Sequence, residues 1–137
     1  MEVVVRDYKK DDLEGVNEVL LEAFSIEKKN FNDSIFKEIV AVVDGNIAGY
    51  LLLTKVLNPI KDKYYYLVDY VCVSSKYRNM GIGNKLIDYA EEIARKDKVI
   101  YMQLTCSYTR IAAHRLYEKC GFKKRESDIF RKELLWY

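Results

Sequence analysis

A chain of 137 residues is long enough to bury a core and is expected to form a single domain spanning 1–137. Half of its residues are hydrophobic, 32% are charged and the formal net charge is +2, which is ordinary for a globular domain and leaves no strongly basic footprint. No apolar run reaches membrane-span length, Met1 leads straight into Glu2-Val3-Val4-Val5-Arg6 without a signal peptide, and the short basic runs adjoin acidic residues. Neither membrane nor nucleic acid is therefore an expected partner, and the cytoplasm is the expected compartment.

In chain order, Glu2–Arg6 reads as a short strand. Asp11-x-x-Glu14 has the form of a capping box, and Leu13, Val16, Val19, Leu20, Ala23 and Phe24 then recur at helical spacing. Asn30–Glu38 reads as a loop and a short second helix with Phe31, Ile35 and Phe36 on its apolar side. Ile39–Val43 and Ile47–Leu57 flank Asp44-Gly45, a hairpin turn signal, and Asn58-Pro59 ends the second arm.

Tyr64–Val73 is the next strand. A helix from about Gly83 to Lys96 buries Leu86, Ile87, Ala90, Ile93 and Ala94. Val99–Cys106 reads as a strand and Ile111–Lys119 as a helix stopped by Gly121. Phe122–Arg125 and Asp128–Leu135 can form a closing hairpin. The resulting order is β-α-α-β-β-β-α-β-α-β-β, with no repeat or linker.

The junction between the strand ending at Val73 and the helix starting near Gly83 carries Arg78-x-x-Gly81-x-Gly83. A glycine-bearing loop that opens a helix can cradle phosphate. Its backbone approaches the anion closely, and the helix start supplies unpaired N–H groups and the positive end of a dipole. Arg78 adds a fork-shaped cation. A tight, well-packed turn has the same sequence. The dinucleotide fingerprint fails because Leu86 stands where its third glycine belongs, and no P-loop string is present.

The three cysteines, Cys72, Cys106 and Cys120, lack Cys-x-x-Cys spacing, and the single histidine, His114, has no evident partner. Structural thiols are expected, with neither a cysteine nucleophile nor a metal site.

A second block, Ala113-x-x-x-Tyr117 followed by Gly121-Phe122, stands one helix and one strand after the loop. Together the two blocks resemble the GNAT superfamily of acyl-CoA-dependent N-acetyltransferases over essentially the whole chain. The resemblance implies an α+β fold: a three-layer α/β/α domain around a mixed, mostly antiparallel sheet, with helices on both faces. It implies acetyl-CoA as acyl donor and a homodimer as an allowed assembly. By the same resemblance, the amides of Arg78, Asn79, Met80, Gly81, Ile82, Gly83 and Asn84 take the pyrophosphate. The main chain of Val71, Cys72 and Val73 holds the pantetheine arm and thioester oxygen, and Ala113 and Tyr117 belong to the second motif.

Acetyl transfer needs a neutral amine, a polarised carbonyl and a proton for the departing thiolate. Among twelve tyrosines, only Tyr117 holds the motif position, and a phenol with pKa near ~10 can protonate the thiolate. Asp69 interrupts an otherwise apolar and aromatic strand. Alternation sets it on the face of Leu67, Val71 and Val73, where an incoming ammonium or a neighbouring Arg or Tyr would pair it. Arg110 replaces the asparagine common in the second motif. Ser107-x-x-Arg110-x-x-Ala113-His114-Arg115-Leu116-Tyr117 resembles the small-molecule branch of the family instead. A first-turn cation opposes the helix dipole, so an anion of cofactor or substrate is expected at Arg110. The expected activity is acetylation of a primary amine on a small metabolite. Acetylation of a protein amine and acyl-CoA sensing without turnover are the alternatives.

Overall fold

The computed structural model describes residues 2–135. Five strands, β1 (Val3–Asp7), β2 (Phe36–Val43), β3 (Asn46–Asn58), β4 (Lys63–Val73) and β5 (Met102–Gln103), form one sheet in the order β1-β2-β3-β4-β5. The first four are antiparallel and β5 joins β4 in parallel. Helix α1 (Leu13–Phe24) covers one face, and α2 (Ile82–Lys96) and α3 (Ile111–Lys119) cover the other. This is the expected α+β class with helices on both sides.

Because both faces are covered, β2 and β3 are apolar almost throughout instead of alternating. Ile39, Ala41, Leu51, Leu53, Tyr66 and Val68 pack against Leu86, Ile87 and Ala90 of α2. Val40, Tyr50 and Cys72 pack against Val16, Val19 and Leu20 of α1. A single period-2 stripe would have left one face of this sheet wet.

Four sequence expectations are corrected. The capping box at Asp11 and Glu14 does not form. Lys10–Asp12 make a 3-10 turn, and the Asp12 carboxylate accepts from the Lys9 N–H at 2.8 Å and from both terminal nitrogens of Arg6 at 2.8 and 2.9 Å. The short helix in Asn30–Glu38 is also absent. Asp33 accepts from the N–H groups of Ile35 and Phe36, and β2 starts at Phe36, so a local turn takes the backbone groups a helix would need.

The predicted strand Val99–Cys106 shrinks to Met102–Gln103. Only Tyr66–Leu67 of β4 pair with it, and flanking bonds from the Tyr66 N–H to Tyr101 and from the Ile100 N–H to Tyr64 complete the contact. The predicted closing hairpin is missing too. Phe122–Leu135 forms no strand among the described residues, and Ile129, Phe130, Leu134 and Leu135 lie exposed. A two-residue edge offers too short a ladder to extend.

Within β4, Cys72 pairs with Tyr50 while Asp69 pairs with Leu52, so Tyr70 and Val71 together oppose Leu51. Tyr70 adopts φ +55°, a left-handed conformation that costs a non-glycine residue about 1–3 kcal/mol. This bulge reverses the facing of side chains along the strand. Tyr66 and Val68 before it, and Val71 after it, all point to the α2 side, whereas Cys72 points to α1. Asp69, opposite Leu52 of the α1-side cluster, therefore lies across the sheet from Val71 and Val73, contrary to simple alternation.

Candidate active site

The loop from Ser74 to Gly81 is held at its start. The Ser74 N–H donates to the Ala48 carbonyl at 2.7 Å, and the Ser74 hydroxyl accepts from the Lys76 N–H at 3.3 Å. From α1, the Glu22 carboxylate accepts from the Ser75 N–H at 2.7 Å and from its hydroxyl at 2.9 Å. Those two bonds hold the Glu22 carboxyl below the usual carboxylate range.

Asn79 and Gly81 both take left-handed backbone angles, φ +63° and +69°, and Gly81 is the N-cap of α2. A Cβ built on Gly81 meets no atom within 4 Å, so the mouth of the loop is open. Among the described residues, the N–H groups of Ile82, Gly83 and Asn84 find no acceptor. Arg78 lies exposed beside them without an ion pair among those residues.

The second glycine does different work. A Cβ on Gly83 would stand 2.8 Å from Leu116, so its missing side chain lets α3 close onto the start of α2. Asn84 is likewise structural in its side chain, donating to Asp88 at 2.9 Å and accepting from the Cys120 thiol at 3.5 Å. Ile82 is buried in the core, and the partly buried Met80 packs against that core.

Beyond Leu67 and Gln103 the strands β4 and β5 part, and the edge of β4 from Asp69 to Val73 has no strand beside it on that side. Ala113 and Tyr117 of α3 pack against the α2-side core that holds Val71 and Val73. Tyr117 is 8% exposed, and its ring meets Phe122 edge-on at 5.9 Å. Its hydroxyl has no hydrogen-bond partner among the described residues, and it keeps contact with solvent because no side-chain polar atom there is both buried and unpaired. Burial raises its pKa above the ordinary phenol value, and Arg110 acts in the opposite direction.

On the α1 side of β4 stand Cys72, Asp69 and Tyr70. Burial pushes the Cys72 thiol up to about 12, which suits packing and not nucleophilic work. Asp69 is exposed on one side and has no hydrogen bond or ion pair among the described residues, yet surrounding protein raises its carboxyl above the usual range. The Tyr70 ring meets Phe24, the last residue of α1, edge-on at 5.4 Å. The Arg110 guanidinium lies over the same Phe24 ring, 5.7 Å from its centroid. His114 is occupied at Nε2 by the Ser107 carbonyl at 2.9 Å.

All three cysteines are free, and no cluster of His, Cys, Asp and Glu able to hold a metal occurs among the described residues. No helix there is long and apolar enough to cross a membrane.

An open, anion-ready helix start beside a splayed strand edge is a distinctive pairing. Residues 2–122 match the Acetyltransferase (GNAT) family. The chain belongs to that family. It is 37% identical over 73 residues to the uncharacterized N-acetyltransferase YhdJ of Bacillus subtilis, covering 53% of this chain and 50% of that protein. It is 27% identical over 92 residues to the L-amino acid N-acetyltransferase AaaT of Escherichia coli, covering 64% and 53%. The chain thus spans about half the length of the curated relatives it matches. A protein described as a transcriptional regulator from Bacillus halodurans C-125 shares the fold with a TM-score of 0.84 at 24% identity, over 96% of this chain and 100% of that one.

The structure sets the motif residues on the loop at the start of α2, on β4 and on α3, where Ala113 and Tyr117 share the α2-side core with Val71 and Val73. It adds three groups that no sequence signal marks: Glu22, Phe24 and Tyr70. Glu22 and Phe24 read as ordinary positions of an amphipathic helix, and Tyr70 as one more strand aromatic.

Proposed function

We propose that the chain, read as one acetyltransferase domain over 1–137, transfers an acetyl group from acetyl-CoA to a primary amine of a small metabolite by direct attack, in the cytoplasm. The observation that carries this is the pairing of free N–H groups at the start of α2 with the unpaired edge of β4, ending at a solvent-reaching Tyr117 hydroxyl. The likeness to an amino-acid acetylating relative favours a small acceptor over a protein.

The residues fit acetyl-CoA. Open space above Gly81 and the uncommitted amides of Ile82, Gly83 and Asn84, within the stretch Arg78 to Asn84, suit a pyrophosphate, with Arg78 as counter-charge. The main chain of Val71, Cys72 and Val73 presents groups to the pantetheine arm, and the small Ala113 lets α3 lie close. Acetyl-CoA supplies the activated acyl group and the leaving thiolate. Asp69, its carboxyl raised by burial, accepts a proton from the incoming ammonium, directly or through water. As nitrogen bonds to the carbonyl carbon and the carbon–sulfur bond breaks, Tyr117 gives its proton to the sulfur, and the proton the nitrogen then loses restores the phenol through water.

The test is thiol release from acetyl-CoA on adding a panel of amines to the purified chain. Amine-dependent release that collapses in Tyr117→Phe is the expected result. Release independent of amine, or no release at all, removes the proposal.

A further inference from the structure

Lys28 stands in the segment after α1, yet only 10% of its side chain is exposed. Its ammonium lies 4.4 Å from the centre of the Tyr8 ring, 4.8 Å from that of Phe31 and 3.1 Å from Glu38 Oε2. It donates to the Lys29 carbonyl at 3.1 Å and to the Tyr8 hydroxyl at 3.4 Å. The Tyr50 hydroxyl donates to the same Glu38 oxygen at 2.6 Å. Two aromatic faces and a carboxylate around one ammonium are the parts of a cation site.

A loop lysine normally keeps its charge in water, and here the segment has another anchor. Asn17 of α1 pins the Lys28 main chain, accepting from its N–H at 2.7 Å and donating to its carbonyl at 3.1 Å. Tyr8, Phe31 and Glu38 also line a cavity of about 510 Å³, so the cage opens to solvent beside the side chain that fills it. Sheet register sets this cage in line with Asp69. Glu38 pairs with Leu52 and Leu52 with Asp69, all on the α1 side. Two strand spacings, about 10 Å, therefore separate the two acidic residues. The half-buried Leu52 is the floor between them.

We propose that Tyr8, Phe31 and Glu38 form an ammonium subsite that Lys28 keeps filled, so that Lys28 bars acceptors carrying a second, distal ammonium. This rests on the acetyl-transfer activity proposed above and adds a limit on its acceptor. With an amine at Asp69, a chain running over Leu52 meets the Lys28 ammonium and not a free carboxylate. An uncharged chain end rests there without penalty, whereas a second ammonium brings like charges together. Lys28 is thereby a specificity residue and takes no part in proton transfer.

The experiment compares kcat/KM for heptylamine and heptamethylenediamine, a diamine whose extended ends match the span of about 10 Å between the strands. Wild type is expected to favour the monoamine. Lys28→Ala should reverse the preference by about tenfold, the scale of a desolvated cation–aromatic contact joined to a charged hydrogen bond. Lys28→Arg should keep the wild-type order. Ethylenediamine is too short to reach the cage, so its ratio to ethylamine should be the same in wild type and both variants. A second readout needs no turnover. Heptamethylenediamine should raise the Tm of Lys28→Ala and leave that of Lys28→Ala combined with Glu38→Gln unmoved.

Equal or better use of the diamine by wild type overturns the inference while leaving acetyl transfer intact. A folded Lys28→Ala enzyme that keeps the wild-type preference also overturns it, and an unmoved Tm then makes Lys28 a purely structural latch. Failure of wild type to acetylate any amine overturns acetyl transfer and, with it, the limit on the acceptor. The melting response reads the cage independently of that outcome.

Discussion

The two sides of the β4 edge are built in opposite ways. The proposed donor side, Arg78 to Asn84, is one contiguous stretch whose conformation is set locally by left-handed Asn79 and Gly81 and by the start of α2. The proposed acceptor side collects Phe24, Asp69 and Tyr70 from the end of one helix and the middle of a strand. The first is a local motif. The second exists only after the sheet has folded and bulged. Such a division lets one loop serve a constant donor while the scattered set adjusts to different acceptors.

The largest effect belongs where the sides meet. Tyr117→Phe is expected to lower kcat by about 10²–10⁴-fold with acetyl-CoA affinity nearly unchanged, because only proton delivery in the transition state is lost. Single-turnover kinetics alongside calorimetry read both quantities. Turnover within threefold of wild type, with chemistry limiting, would make Tyr117 a packing residue and dissolve the comparison.

Next come the two glycines, which separate binding from packing on the donor side. Gly81→Val forces a branched side chain into a φ of +69° and fills the open mouth of the loop, so acetyl-CoA affinity should weaken by roughly 1–3 kcal/mol. Gly83→Ala instead presses on Leu116 at 2.8 Å and should cost about 1 kcal/mol of stability, read as a lower Tm, with a smaller change in affinity. Reversed results would mean that Gly83 and not Gly81 faces the ligand.

Asp69→Asn probes the acceptor side. Activity should fall most at neutral pH and recover in part at alkaline pH, where free amine is already neutral. The stability sign is separable. The folded-state pKa of Asp69 is raised, so its contribution is present below the unfolded carboxylate pKa and lost as pH rises through the folded value. At neutral pH the ionised side chain therefore opposes folding, and the amide should melt no lower than wild type. A lower Tm with an unshifted pH–rate profile would return Asp69 to a structural role.

The smallest effect is expected at Glu22. Glu22→Gln weakens an exposed clamp on Ser75, and acetyl-CoA KM should rise by no more than about fivefold with kcat retained. A larger effect on acceptor KM than on acetyl-CoA KM would move Glu22 to the acceptor side.

Legibility in the sequence follows the same division. Helix Ile111–Lys119, the Asp44-Gly45 hairpin and the start of α2 are found where periodicity and turn residues put them, since each is stabilised by its own neighbours in sequence. The second helix and the closing hairpin fail for opposite reasons. Asp33 diverts the backbone into a turn, and strand-like residues after Phe122 have no ladder long enough to join.

Asp69 shows the limit most clearly. Its unusual place in an apolar strand is visible in the sequence, but the face it occupies is not, because one bulge at Tyr70 and Val71 reverses the alternation. Sequence by itself marked the glycine loop, the helix it opens and the position of Tyr117 on α3. Tertiary structure alone decided which face of β4 each side chain takes and that Phe24 meets Tyr70. Local elements answer to spacing and propensity, whereas juxtaposition across a bulged sheet depends on register, which no stretch of the chain encodes on its own.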